Sequence, residues 1–295
     1  MTKPISTGAD PWVIRDEGSY IWCHTHHNGV AIRRSETLRG LGTATPELLW
    51  QAPETGAFSQ EIWAPELHFH QGRWYVYVAA DDGDNANHRM IVLHSESLRG
   101  PYGFAGKLAL APDRWAIDGT LVSFDGMLYF LWSGWEGFEN TAQQLYICPM
   151  SDPLTPSGAR VRISSPELAW EKRGSGGPGK LPTINEGPQV LERNGTLHII
   201  YSAAGSWCDD YCLGRLSLAP GGDPLDASAW QKHPTPVFEK TETIFGPGHC
   251  SFVKDGTQDW IVYHSARHSG SGWDRVIRAQ PFTWKNDTPV FGKPV

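Results

Sequence analysis

Three observations in the 295 residues predict an all-β chain folded as a five-bladed β-propeller. A hairpin pattern recurs five times, each copy carries tight-turn residues, and no long stretch has the periodicity of a helix. The copies begin at Pro11, Pro65, Gly119, Pro188 and Cys250, and each joins an apolar run to an aromatic-rich run through a glycine turn. Those glycines fall at 18, 72, 126, 195 and 256, so the spacings are 54, 54, 69 and 61 residues. One hairpin and two further strands fit each interval, which makes four strands per blade. Asp125-Gly126, Asn194-Gly195 and Asp255-Gly256 are strong hairpin signals, because a two-residue turn needs the positive φ that Gly and Asn adopt at little cost. The runs from Arg89 to Glu96 and from Gln144 to Met150 read as outer strands of the second and third blades. Residues 1–295 are expected to form a single domain.

Composition narrows the function classes. A formal net charge of −7 argues against nucleic acid or an anionic membrane as partner. No run of about 18 apolar residues is present to span a bilayer. Fourteen tryptophans suggest work beyond core filling, since an indole offers a rigid apolar face that stacks on sugar C–H groups. The first ten residues contain no apolar leader, and the five cysteines are odd in number without a C-x-x-C pair. Both facts predict reduced thiols and a cytoplasmic chain. Cys208 and Cys212 read as an ordinary strand-and-turn pair rather than a metal site. The stretch from Glu171 to Thr183 mimics phosphate-loop spacing through Gly174, Gly176, Gly179 and Lys180. Leu181 replaces the metal-binding hydroxyl and Pro182 blocks the helix that would hold a phosphate, so it reads as a loop.

Three acidic residues stand just ahead of inner hairpins: Asp10, Asp118 and Glu186, in the first, third and fourth copies. In a ring of blades the innermost strands line the central channel, so these carboxylates are expected at equivalent places, facing one mouth. Converging carboxylates are the equipment for cleaving a glycosidic bond.

Segments in the same order along almost the whole chain resemble glycoside hydrolase family 43: Asp10-Pro-Trp-Val, Trp63-Ala-Pro-Glu-Leu-His, Ile117-Asp-Gly-Thr, Asn185-Glu-Gly-Pro, Gly246-Pro-Gly-His-Cys-Ser-Phe and the ending from Arg275 to Trp284. The resemblance implies a propeller that hydrolyses with inversion. It makes Asp10 the general base, Glu186 the general acid and Asp118 the residue that orients Glu186 and raises its pKa. Inversion needs room for water, so the Asp10 and Glu186 carboxyls should stand about 6.5–9.5 Å apart. It also implies a sugar-contacting arginine, Arg275 in preference to Arg278, which would keep Asp10 and Asp118 ionised. Trp63 and Trp135 are implied to shape the sugar site and Glu66 to contact hydroxyls, with core packing or a blade-edge hydrogen bond the competing roles. His249 resembles a histidine beside a structural Ca²⁺ at the propeller axis, with water completing the shell; no cofactor is required for the reaction.

Within the family, Glu61-Ile-Trp-Ala-Pro-Glu and the segment from Ala79 to Met90 look most like the exo-acting α-L-arabinofuranosidases. The implied substrate is an arabinose-containing oligo- or polysaccharide. The rival readings are a β-xylosidase or endo-arabinanase of the same family, a retaining propeller glycosidase of the invertase type, and a sugar-binding propeller without activity.

Overall fold

The computed structural model describes residues 3–176 and 180–295. Five antiparallel sheets follow one another along the chain. The inner strands are Trp12–Asp16, Gln60–His70, Ala116–Phe124, Asn185–Arg193 and Phe245–Asp255, in blades 1 to 5. Each is followed by a hairpin partner and then by outer strands, and the expected outer strands are found at Arg89–Ser95 and Gln144–Asp152. Gly179 of the glycine-rich stretch lies outside the described residues.

The hairpins explain why the copies look alike. Glu17-Gly18, Gln71-Gly72, Asp125-Gly126 and Asn194-Gly195 all have positive φ at both residues, the backbone of a type I′ turn. In blade 5 the two-residue loop begins with Gly256, the arrangement of a type II′ turn, because Asp255 pairs with Gln258. Its glycine therefore occupies the first turn position rather than the second.

Five apolar clusters fill the five gaps between neighbouring blades. Strand residues alternate sides, so Tyr75, Tyr77 and Ala79 pack toward blade 3 while Val76 and Val78 pack toward blade 1. That two-sided burial is why Arg73–Asp81 reads as a continuous apolar run instead of an alternating one. The blade 5 to blade 1 gap holds Val253, Val262 and Ile277 against Val13, Tyr20 and Trp22. Here the ring closes: Ser6–Thr7 pairs with the third strand of blade 5, Arg275–Lys285.

Candidate active site

One backbone feature recurs in every blade and creates the site. Seven residues before the first turn position stand Asp10, Ala64, Asp118, Gly187 and His249, and all five have φ between 40° and 54°. At Ala64, Asp118, Gly187 and His249 the ladder register slips, so each marks a bulge in its inner strand. Left-handed backbone is unfavourable for residues with a Cβ, so its survival at Asp10, Ala64, Asp118 and His249 points to a site the surroundings enforce.

At three of these left-handed positions the backbone N–H is free of the ladder, by a bulge in blades 4 and 5 and by lying ahead of the strand in blade 1, and side chains of neighbouring blades capture it. Asp10 N–H donates to His264 Nδ1 at 3.1 Å, Gly187 N–H to Asp118 Oδ2 at 2.9 Å, and His249 N–H to Ser202 Oγ at 2.8 Å. Asp10, Asp118 and His249 thus occupy equivalent places, whereas Glu186 stands one residue earlier, level with Trp63 and Ile117. The expectation that the three acids are equivalent is corrected accordingly. Sequence alone missed this because the turn glycine of blade 5 sits one position early, which masks the match of His249 to Asp10.

The residues face a pocket of about 740 Å³, lined by Asp10, Asp118, Glu186, His249, Arg275 and Trp63 among others. Two positions further along the inner strands, Trp12, Glu66, Thr120, Gln189 and Ser251 form the next layer. Glu66 is buried there, accepting from Gln189 Nε2 across the axis and lying 3.1 Å from His68 Nε2. It is therefore not part of the pocket lining. Neither is Trp135, which stacks behind the pocket residue Trp115 with ring centroids 4.8 Å apart. Trp63 does line the pocket. Its indole N–H donates to Glu61 Oε2 at 2.9 Å and its ring stacks on buried His88 at 4.0 Å.

The electrostatics separate the acids. Burial pushes the Asp10 carboxyl up, but the His249 charge and a hydrogen bond from His249 outweigh it and hold the group well below the usual range. His249 Nδ1 lies 3.1 Å from Asp10 Oδ1 and 4.0 Å from Asp118 Oδ2. Burial disfavours the imidazolium, yet these carboxylates raise it to about 10. His264, whose Nδ1 lone pair is needed by Asp10 N–H, is depressed to about 3, by burial first and the Arg275 charge second. Glu186 is raised to about 7 by burial and then by the Asp118 charge, against a 2.8 Å hydrogen bond donated by Tyr211 Oη. Asp118 is itself raised to about 6, chiefly by burial. Arg275 reaches Asp10 Oδ1 at 3.6 Å and is anchored by Ser206 O at 2.7 Å, while Arg278 donates to Ser265 Oγ away from the pocket. The cation closest to Asp10 and Asp118 is thus His249, a role the sequence reading had left to the arginine.

The donor set at the propeller axis is poor in oxygen ligands for an ion beside His249. Among the described residues no group of three or more His, Cys, Asp or Glu side chains is placed to hold a metal. His249 supplies a single nitrogen that faces Asp10, and Ca²⁺ prefers six to eight oxygens, so the protein groups do not fit a calcium cage.

A five-bladed ring with a carboxylate held ionised opposite one held protonated defines a sugar-cleaving propeller. The chain belongs to the glycosyl hydrolases family 43, whose family model matches residues 1–289. It is 35% identical to an extracellular exo-α-(1→5)-L-arabinofuranosidase of Streptomyces avermitilis, over 100% of this chain and 64% of that protein, so it spans about two thirds of that relative's length. It is also 35% identical to a protein of the same description from Streptomyces chartreusis, over 88% of this chain and 80% of the relative. The crystal structure of an α-L-arabinofuranosidase from Lactobacillus brevis superposes with a TM-score of 0.90 at 33% identity, covering 99% of this chain and 96% of that one. The family establishes a carbohydrate substrate.

These relatives overturn the cytoplasmic expectation, since both Streptomyces proteins are named extracellular. The expectation rested on the lack of apolar character in the first ten residues and on the odd thiol count, and neither decides the compartment. All five cysteines are free and four are buried, where a thiol is inert in oxidising or reducing surroundings alike.

Proposed function

We propose that this chain is an inverting, exo-acting α-L-arabinofuranosidase that removes terminal α-L-arabinofuranosyl residues from arabinan, arabinoxylan or their oligosaccharides. The observation that carries the reading is the pair of opposed protonation states in one pocket: Asp10 ionised against His249, and Glu186 kept protonated to about pH 7 by burial and Asp118. Asp10 takes a proton from a water as the water oxygen bonds to the anomeric carbon. The glycosidic C–O bond breaks on the opposite face, and Glu186 gives its proton to the leaving oxygen. Asp118 fixes the backbone beside Glu186 through Gly187 N–H and discourages early proton loss from the acid. Arg275, pinned by Ser206, is positioned to contact a sugar hydroxyl, and Trp63 supplies a flat wall for the ring. The relatives' names support the choice of arabinofuranose and of exo action.

Release of nitrophenol from its α-L-arabinofuranoside and its β-D-xylopyranoside, with NMR of the first-formed anomer, tests this directly. Arabinofuranoside cleavage with inverted product is expected, and Asp10→Ala should lower kcat about 10²–10⁴-fold. A purified enzyme that frees only xylose, or that retains configuration, would sink the proposal.

A further inference from the structure

We propose that Trp207 and Trp273 form a built platform that receives the saccharide on the leaving side of the scissile bond; this rests on the glycosidase reading above and adds to it. Both rings line the catalytic pocket, and Trp273 is 65% exposed, an unusual state for so large an apolar surface. The two indoles meet edge to face, with centroids 6.5 Å apart at 88°. Their N–H groups are already engaged, Trp207 with Gly174 O at 2.9 Å and Trp273 with Ser206 Oγ at 3.2 Å. Flat apolar faces, rather than polar edges, are what remains to offer a ligand.

The platform is rigid. Asp209 binds the loop that carries Trp273, accepting from Ser269 Oγ at 2.6 Å and from Gly270 N–H at 2.8 Å. Gly205 lets the Trp207 indole lie against the backbone: a Cβ there would stand 2.6 Å from the ring. Such preorganisation lowers the ordering cost of binding.

The occupant follows from the same segment. Four residues after Trp207, Tyr211 Oη holds Glu186, so the platform is tethered to the acid, and the group that departs must lie beside the acid that protonates it. Its continuity with the pocket makes the ligand the remainder of the substrate chain, a pentose-rich saccharide whose C–H faces can stack on indole.

The test compares wild type with Trp273→Ala, Trp207→Ala and Gly205→Ala on α-1,5-linked arabinotriose and on methyl α-L-arabinofuranoside, whose leaving group is too small to reach the rings. The expected result is a loss of about tenfold in kcat/KM on the trisaccharide, several-fold larger than the loss on the methyl glycoside. Equal losses on both substrates, or none on the trisaccharide, would overturn the platform. Tryptophan-fluorescence titration of the Glu186→Gln background with arabinotriose and xylotriose gives a readout without turnover. There the Trp273→Ala substitution should raise Kd about tenfold for whichever trisaccharide binds. An unchanged Kd, or binding of neither sugar, also overturns the platform. Release of xylose alone by the wild type would defeat the arabinofuranosidase reading while leaving the platform to be judged on xylotriose.

Discussion

At the scale of single residues, the site works by making two carboxyl groups unlike. Glu186 donates a proton only while it holds one, so kcat/KM should fall on the alkaline side with a midpoint near pH 7. The Asp118 charge contributes to that value. In Asp118→Asn the neighbouring negative charge is gone, the ionised form of Glu186 is less disfavoured, and its pKa drops. The alkaline limb is therefore expected to move to lower pH, as read from kcat/KM profiles of both proteins. An unmoved limb would separate Asp118 from the titration of the acid. Residues of this kind differ in how openly they announce themselves. Asp10, Asp118 and Glu186 stood out by their place before the hairpins, but Tyr211 and His264 carry no local signal: Tyr211 reaches Glu186 from just ahead of the third strand of its own blade, and His264 reaches Asp10 from the neighbouring one.

At the scale of the element, the left-handed bulge is the device that aims side chains into the mouth. Gly187 shows its tolerance. A Cβ there would stand 3.1 Å from the His249 ring, on a backbone with φ of 54°. Gly187→Ala should cost about 1–2 kcal/mol in denaturant unfolding, from the left-handed strain. By displacing the imidazolium from Asp10 it should also lower kcat at least several-fold. Loss of stability with full activity would show that the His249–Asp10 contact is dispensable. The hairpin turns were legible because Asp-Gly and Asn-Gly have few alternatives. The bulges were not, because Asp10, Ala64, Asp118 and His249 are not residues that demand positive φ; the surrounding ring imposes it.

At the scale of the whole molecule, the ring depends on its closure. Ile5 packs into the blade 5 to blade 1 cluster, and its N–H donates to Ile277 O at 2.7 Å. Gly8 N–H then donates to Arg275 O at 3.2 Å, which ties closure to the arginine beside Asp10. Ile5→Asp removes apolar burial worth about 1–3 kcal/mol, and a melting temperature several degrees lower is expected by calorimetry. KM should rise with it, since Arg275 loses part of its support. An unchanged KM at reduced stability would confine the closure to a structural role.

The five-fold repeat, the blade count and the three acids were written in the sequence, because turn chemistry and strand alternation are local and repeat at near-constant spacing. What only the tertiary structure decided is which residues share one point in space. His249 became the counterion of Asp10, Trp135 and Glu66 fell behind and beneath the pocket, and Trp207 and Trp273 came to its rim. These outcomes depend on contacts between blades hundreds of residues apart, Asp10 with His264 among them. Such contacts are set by how the sheets pack around the axis, and no local pattern in the chain encodes them.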